Sequence, residues 1–284
     1  MKAYLECYPC FFSQILMTAG MITGDEEKIR DILVEFGSYL SKIPVRATPP
    51  EIGREVYRIV SQKTGVEDPY REIKEENTRQ ALSLYPKLKK DIASSPDPLL
   101  TAVRMAIAGN IIDFGANAKF DVIKDLNKLL TQKLAIDFYE EFCETLRKSR
   151  RVLYLADNAG ETVFDRLLIE ELGKPVIYAV RHHPVINDAV RKDALDAGIG
   201  EVAEIVSSGT DAPGTILNLC SREFRSLFDS ADLIISKGQG NYEGLSEAKG
   251  PVFFLLKAKC PVIARDIGVE QESILLMRTK NFFS

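Results

Sequence analysis

Four short segments carry most of the side chains able to do polar chemistry. They are Asp157-Asn158-Ala159-Gly160-Glu161, His183-Pro184-Val185-Ile186-Asn187-Asp188, Ser208-Gly209-Thr210-Asp211-Ala212-Pro213-Gly214 and Lys237-Gly238-Gln239-Gly240-Asn241-Tyr242-Glu243. Asp157, Asn158 and Asp188 offer oxygen ligands alone. Such a set suits a hard divalent ion, Mg²⁺ or Mn²⁺, and leaves positions for water and substrate. Asp-Asn-Ala-Gly is also an ordinary turn followed by a helix cap. The apolar run directly before it, ending on the acid, shifts the balance toward a ligand. The third and fourth segments suit an anion. Glycine-rich loops entering a helix present backbone N–H groups and a partial positive charge, which Gly209 and Gly214 could supply. Lys237 could neutralise a phosphoryl oxygen there, or be a solvated surface lysine. The Gly238-Gln-Gly240 turn is not a dinucleotide fingerprint, because Tyr242 and Glu243 stand where the third glycine is required.

A fifth feature is Gly109-Asn110-Ile111-Ile112-Asp113. Asn110 and Asp113 are three apart and share one face of a predicted helix. Asp113 near the end of that helix opposes its dipole, which points to a partner or a ligand. Cys7-Tyr8-Pro9-Cys10 is a lone CxxC, with Cys143, Cys220 and Cys260 scattered elsewhere. A zinc site needs further thiolates or imidazoles, so a structural role or an adventitious metal site is favoured over redox chemistry. His182 and His183 are the only histidines. They exclude any site built on imidazoles from separate segments, and suit an accessory phosphate contact or a solvated loop.

The elements that must position these residues fall into two groups. Up to about residue 150 the pattern is helical. Asp25 to Leu40 places Ile29, Ile32, Leu33 and Phe36 on one face, and Thr48-Pro49-Pro50-Glu51 is a helix start. A helix is predicted from Asp68 to about Leu88, and others over Leu99–Ile112, Asp121–Leu130 and Ala135–Lys148. From Arg151 short apolar runs alternate with helical stretches. Strands are predicted at Val152–Ala156, Pro175–Val180, Val202–Val206, Leu233–Ser236, Val252–Leu256 and Val262–Ala264. Helices are predicted at Val163–Leu172, Asp188–Ala197 and Gly214–Phe228. This alternation predicts an α/β fold, a mostly parallel sheet flanked by helices, over residues 151–284, with a mainly α-helical part over residues 1–150. All four polar segments then follow strands and line the carboxyl edge of the sheet, where ligands bind.

The chain has 284 residues, and 37 Lys plus Arg against 41 Asp plus Glu give a net charge of −4. That balance argues against a general nucleic-acid binder. No apolar run reaches the roughly 20 residues that span a bilayer. The start, MKAYLECYPCFF, lacks the pattern of a secretory signal and suggests a cytoplasmic protein.

Taken in order, these motifs resemble the damage-control phosphatase family, the ARMT-like group once called domain of unknown function 89, in its stand-alone prokaryotic branch with an N-terminal CxxC. The resemblance covers nearly the whole chain. It implies a metal-dependent phosphatase acting on small phosphorylated metabolites, sugar phosphates or damaged cofactor intermediates, with Mn²⁺, Co²⁺, Ni²⁺ or Mg²⁺. It also implies Asp157, Asn158 and Asp188 as metal ligands and Lys237 as the phosphate contact. The Arg-x-x-Lys motif of the eukaryotic sugar-phosphate branch has no counterpart in Ile234-Ile235-Ser236-Lys237. The expected catalytic set is Asp157, Asp188, Lys237, Glu161, Asn187 and Asp211. Substrate contacts are expected from Asn110, Asp113, Gly160 and Gly209, and from Lys237, Gly238 and Glu243. The nucleophile is either a water on the metal or a carboxylate, Asp157 or Asp188. Three other readings stay open: an S-adenosylmethionine-dependent carboxyl methyltransferase, a non-catalytic module for a phosphorylated ligand, and a redox or zinc protein centred on Cys7 and Cys10.

Overall fold

The computed structural model describes residues 1–110 and 128–279. A seven-stranded sheet has the order β1-β7-β6-β5-β2-β3-β4. Its strands are β1 (Ile136–Asp137), β2 (Val152–Leu155), β3 (Val176–Val180), β4 (Glu204–Ser207), β5 (Ile234–Lys237), β6 (Val252–Lys257) and β7 (Ile274–Arg278). Every pairing is parallel except β6 with β7, which is antiparallel. The α/β class expected from the alternating pattern is therefore what the chain adopts. Strands β2, β3 and β4 run outward in one direction, whereas β5 and β6 lie on the other side of β2. The order reverses between β2 and β5, and such a switch point opens a crevice at the carboxyl ends of the strands.

Five helices precede the sheet's centre: α1 (Cys7–Ile22), α2 (Glu26–Tyr39), α3 (Pro49–Thr64), α4 (Arg71–Ala93) and α5 (Pro98–Gly109). Helix α2 starts where Asp25 accepts a hydrogen bond from the Lys28 amide at 3.1 Å. The start of α3 is a capping box, in which Thr48 Oγ1 accepts from the Glu51 amide and Glu51 accepts from the Thr48 amide at 2.7 Å. Helices α1 to α3 bury Phe11, Ile15, Phe36, Ile52 and Val56 against one another. Helices α4 and α5 instead share a core with the sheet, where Ala81, Val103 and Ala106 pack with Tyr154, Phe164 and Phe253. Among the described residues no helix is long and apolar enough to cross a membrane.

Several local expectations are corrected. The helix predicted over Ala135–Lys148 is β1 followed by α6 (Tyr139–Lys148), because Ile136 pairs with Leu275 of a strand the local pattern did not show. Val262–Ala264 lies in a helix, Pro261–Ile267, bounded by a proline in its first turn and Gly268 in the left-handed region. The Gly214–Phe228 helix is a short 3₁₀ turn, Leu217–Leu219, and a helix, Arg222–Asp229, capped by Ser221. The helix predicted from Asp188 begins at Arg191, which leaves Asp188 in the loop. The start expected at Asp68 falls at Arg71. Most of Asp121–Leu130 lies outside the described residues.

Candidate metal and phosphate site

The loops after β2 and β3 are zipped together. Ala189 N–H donates to Asp157 O at 2.7 Å and Ala159 N–H to Asn187 O at 2.8 Å. Asn158 and Asp188 form an antiparallel bridge. This backbone pairing brings two carboxylates and an amide from separate strand ends to the wall of one cavity of about 330 Å³. Pro50 and Gly53 of α3 and Cys7, Cys10 and Gln14 of α1 wall it on the helical side. Asn187, Glu243, Lys259 and Cys260 wall it on the sheet side.

Asp157 is buried, and its Oδ2 accepts from Asn110 Nδ2 at 2.6 Å and from Asn158 Nδ2 at 3.2 Å. Burial, then the charges of Glu161 and Asp188, push its pKa well above the ordinary carboxylate range. Asn110 Nδ2 also donates to Glu161 Oε1 at 2.9 Å, and the same oxygen accepts from the Asn158 amide at 2.7 Å. Both partners of the Asn110 nitrogen are carboxylates, so the amide orientation is fixed by chemistry. Its Oδ1 is buried without a donor among the described residues.

Asp188 Oδ2 accepts from Arg181 Nε at 2.7 Å. Arg181 is itself held by Asn241 Oδ1 at 3.1 Å and Thr215 Oγ1 at 3.3 Å. Burial raises the Asp188 pKa against the pull of Arg181. Lys237 is fully buried, with Nζ 3.3 Å from Glu161 Oε2 and 2.5 Å from Asp165 Oδ1. Tyr154 and Tyr178 hydroxyls donate to the two oxygens of Asp165 at 2.7 Å each.

Of four buried carboxylates, Glu161, Asp165 and Asp188 thus pair with two buried cations, Lys237 and Arg181, while Asp157 is held by amide donors. The excess negative charge and the oxygen-only donors fit a divalent cation held by Asp157, Asn158 and Asp188. No three His, Cys, Asp or Glu among the described residues form a closed metal cage. A site of two carboxylates and one amide is an open one, with room for substrate.

The remaining expected residues are spread. Gly160 is buried in the turn before α7 (Thr162–Leu172). Gly238 has φ 76°, and a Cβ on it would sit 1.8 Å from Asp157 Oδ2, so only glycine lets β5 end beneath that carboxylate. The Gly209 amide donates to Ser207 Oγ at 3.1 Å and the Gly214 amide to Ala212 O at 2.8 Å. Both are therefore engaged within the protein. Gly214 allows instead a close crossing with Gly240 and Pro50. Asp211 pairs with Arg54 at 2.5 Å in a neighbouring cavity of about 370 Å³, which His183 also lines. His182 Nδ1 lies 3.1 Å from Ser207 Oγ. Glu243 lines the main cavity, accepts from Gln239 at 2.9 Å, and is pushed up to about 7 by burial. Asp113 lies outside the described residues.

Arg181, Asp165, Asn241 and Lys259 are parts of the site that sequence reasoning missed. Arg181 and Lys259 each follow the end of an apolar strand, the same signal that marked Asp157. Asp165 is a lone acid on an otherwise apolar helix face.

The sequence profile of the damage-control phosphatase ARMT1-like domain matches residues 3–275. A damage-control phosphatase of Pyrococcus horikoshii is 35% identical over 99% of each chain. One from Archaeoglobus fulgidus is 35% identical over 95% of this chain and 96% of its own. The crystal structure of a DUF89 family protein from Pyrococcus horikoshii superposes with a TM-score of 0.93 at 35% identity, covering 99% of this chain and 100% of that one. An open carboxylate site at the switch point of this sheet and relatedness over nearly the whole length lead to one assignment: the chain belongs to the damage-control phosphatase ARMT1-like family.

Proposed function

We propose that this phosphatase is metal-dependent and hydrolyses phosphate monoesters of small metabolites. The observation that supports the reading best is the zipped pair of loops, which presents Asp157, Asn158 and Asp188 to one cavity with excess buried negative charge around them. A divalent cation held there would neutralise phosphoryl oxygens and stabilise the charge that develops as the ester bond breaks. Arg181 occupies Oδ2 of Asp188, which suits Asp188 to a fixed supporting role. Asp157 is held by amide donors alone, and keeps the more adaptable charge. Lys259 lines the cavity and its charge acts on Asp157, so its ammonium is placed to meet an incoming phosphate. Cys7, Cys10, Pro50 and Gly53 close the helical side and would face the remainder of the substrate. The loop after β2 is acidic rather than glycine-rich, which disfavours the adenosine-binding loop a methyltransferase requires.

The test is phosphate release from a panel of phosphorylated metabolites with Mn²⁺, Co²⁺, Ni²⁺ or Mg²⁺, repeated with Asp157→Ala and Asp188→Ala. Wild-type turnover should vanish with a chelator and return with metal. Each variant should lose at least about 100-fold in turnover while keeping its circular dichroism spectrum. A fully active Asp188→Ala enzyme refutes the assignment.

A further inference from the structure

One carboxylate lies behind the site and outside its cavity, yet three side chains donate to it in the interior. Asp165 accepts from Tyr154 Oη (2.7 Å), Tyr178 Oη (2.7 Å) and Lys237 Nζ (2.5 Å), and all four side chains are fully buried. From Lys237 the chain of contacts continues without a break. Lys237 Nζ reaches Glu161 Oε2, Glu161 Oε1 takes the Asn158 amide and Asn110 Nδ2, and Asn110 Nδ2 reaches Asp157 Oδ2.

We infer that Asp165, seated on Tyr154 and Tyr178, is a positioning residue that locks Lys237 onto Glu161 and thereby orients Asp157 and Asn158 for a divalent cation. The inference rests on the metal-dependent reading above. Stability alone does not explain this arrangement. Burying an ion pair costs about as much as it returns, and apolar side chains of the same volume would serve a core equally well or better. Three donors on one carboxylate remove its rotational freedom, and so fix the Lys237 ammonium in one place. That ammonium then holds Glu161 with its second oxygen toward the Asn158 amide. Supporting hydrogen bonds of this kind commonly set ligand orientation and metal affinity. Lys237, so engaged, acts through Glu161 and does not touch the phosphate. Among the described residues, none of its hydrogen-bond partners lies in the cavity wall, where Lys259 is the lysine present.

The test measures Mn²⁺ affinity by titration calorimetry, together with kcat, KM for a phosphate ester and inhibition by inorganic phosphate. Asp165→Asn keeps the shape and removes the charge. It should weaken Mn²⁺ binding about 10- to 100-fold. At saturating Mn²⁺ it should lower kcat while leaving KM and the phosphate inhibition constant near wild type. Tyr178→Phe keeps every charge and covers the case in which Asp165→Asn fails to fold; it should weaken Mn²⁺ binding several-fold in the same pattern. Lys237→Met should behave like Asp165→Asn. Wild-type Mn²⁺ affinity in Asp165→Asn, or in Tyr178→Phe if that alone folds, overturns the inference. So does a Lys237→Met protein that binds Mn²⁺ normally but resists inhibition by phosphate, since Lys237 would then be a substrate contact. Wild-type protein that takes up no Mn²⁺ overturns the metal-dependent reading, and the inference with it.

Discussion

Two residues at the crevice show how narrowly the site is defined. Gly238 follows β5 directly, and its missing Cβ is the space that Asp157 Oδ2 occupies. Gly238→Ala meets two penalties, a positive φ and a clash with that carboxylate. The carboxylate has to shift, and a misplacement of about 1 Å costs on the order of 100-fold in rate. The expected result is a folded protein with a large fall in kcat and weakened metal binding, measured by steady-state kinetics and calorimetry. Wild-type kinetics would show that Asp157 tolerates displacement. The bonded neighbours of Asp157 were only partly legible in the sequence. The apolar run that ends on Asp157 made a ligand-bearing turn readable, but Asn110 lies 47 positions away from Asp157 and Lys237 lies 76 from Glu161. No periodicity encodes contacts of that range.

At the scale of elements, α3 and the helix Gly238–Leu245 both line the cavity. The first turn of α3 is set by the capping box of Thr48 and Glu51. Thr48→Ala should cost about 1 kcal/mol of stability, read as a lower denaturation midpoint, because the Glu51 amide loses its acceptor. The helix Gly238–Leu245 carries Glu243. Burial raises its pKa from 4.5 to about 7, against the hydrogen bond from Gln239. Between those values the folded state holds a proton that the unfolded chain has released. The contribution of Glu243 to stability is therefore intact at low pH and is lost as pH rises from 4.5 to about 7. Glu243→Gln should remove this part of the pH dependence, so that the variant gains on wild type as pH increases. Urea unfolding at several pH values checks it, and parallel curves for the two proteins would contradict it. The cap was visible in four consecutive residues. The Glu243 shift was not, because it comes from walls contributed by distant segments.

Over the whole molecule, the helices that precede the sheet complete its core. Val103 and Ala106 of α5 pack with Tyr154 and Phe164, and a Cβ on Gly109 would come within 2.8 Å of Phe164. Residues 151–284 alone would expose that face and lack β1. Such a fragment should show no cooperative unfolding transition by circular dichroism, whereas the full chain should unfold in one step. A fragment that unfolds cooperatively would show that the sheet needs no cover from α4 and α5.

The sequence by itself determined the class of fold and the edge of the sheet at which the polar segments lie. Both depend on local signals: apolar runs of strand length, caps, and polar residues placed just after strands. It also carried the motifs that make the family recognisable. Tertiary structure alone decided that β7 returns antiparallel, that Ile136 joins the sheet, and that Val262 lies in a helix. It alone placed Asp211 in a neighbouring cavity and Lys237 inside a buried ionic chain. Such outcomes depend on which distant surfaces exclude water together. The energy of a buried charge is set by its surroundings in space, and neighbours in sequence do not report them.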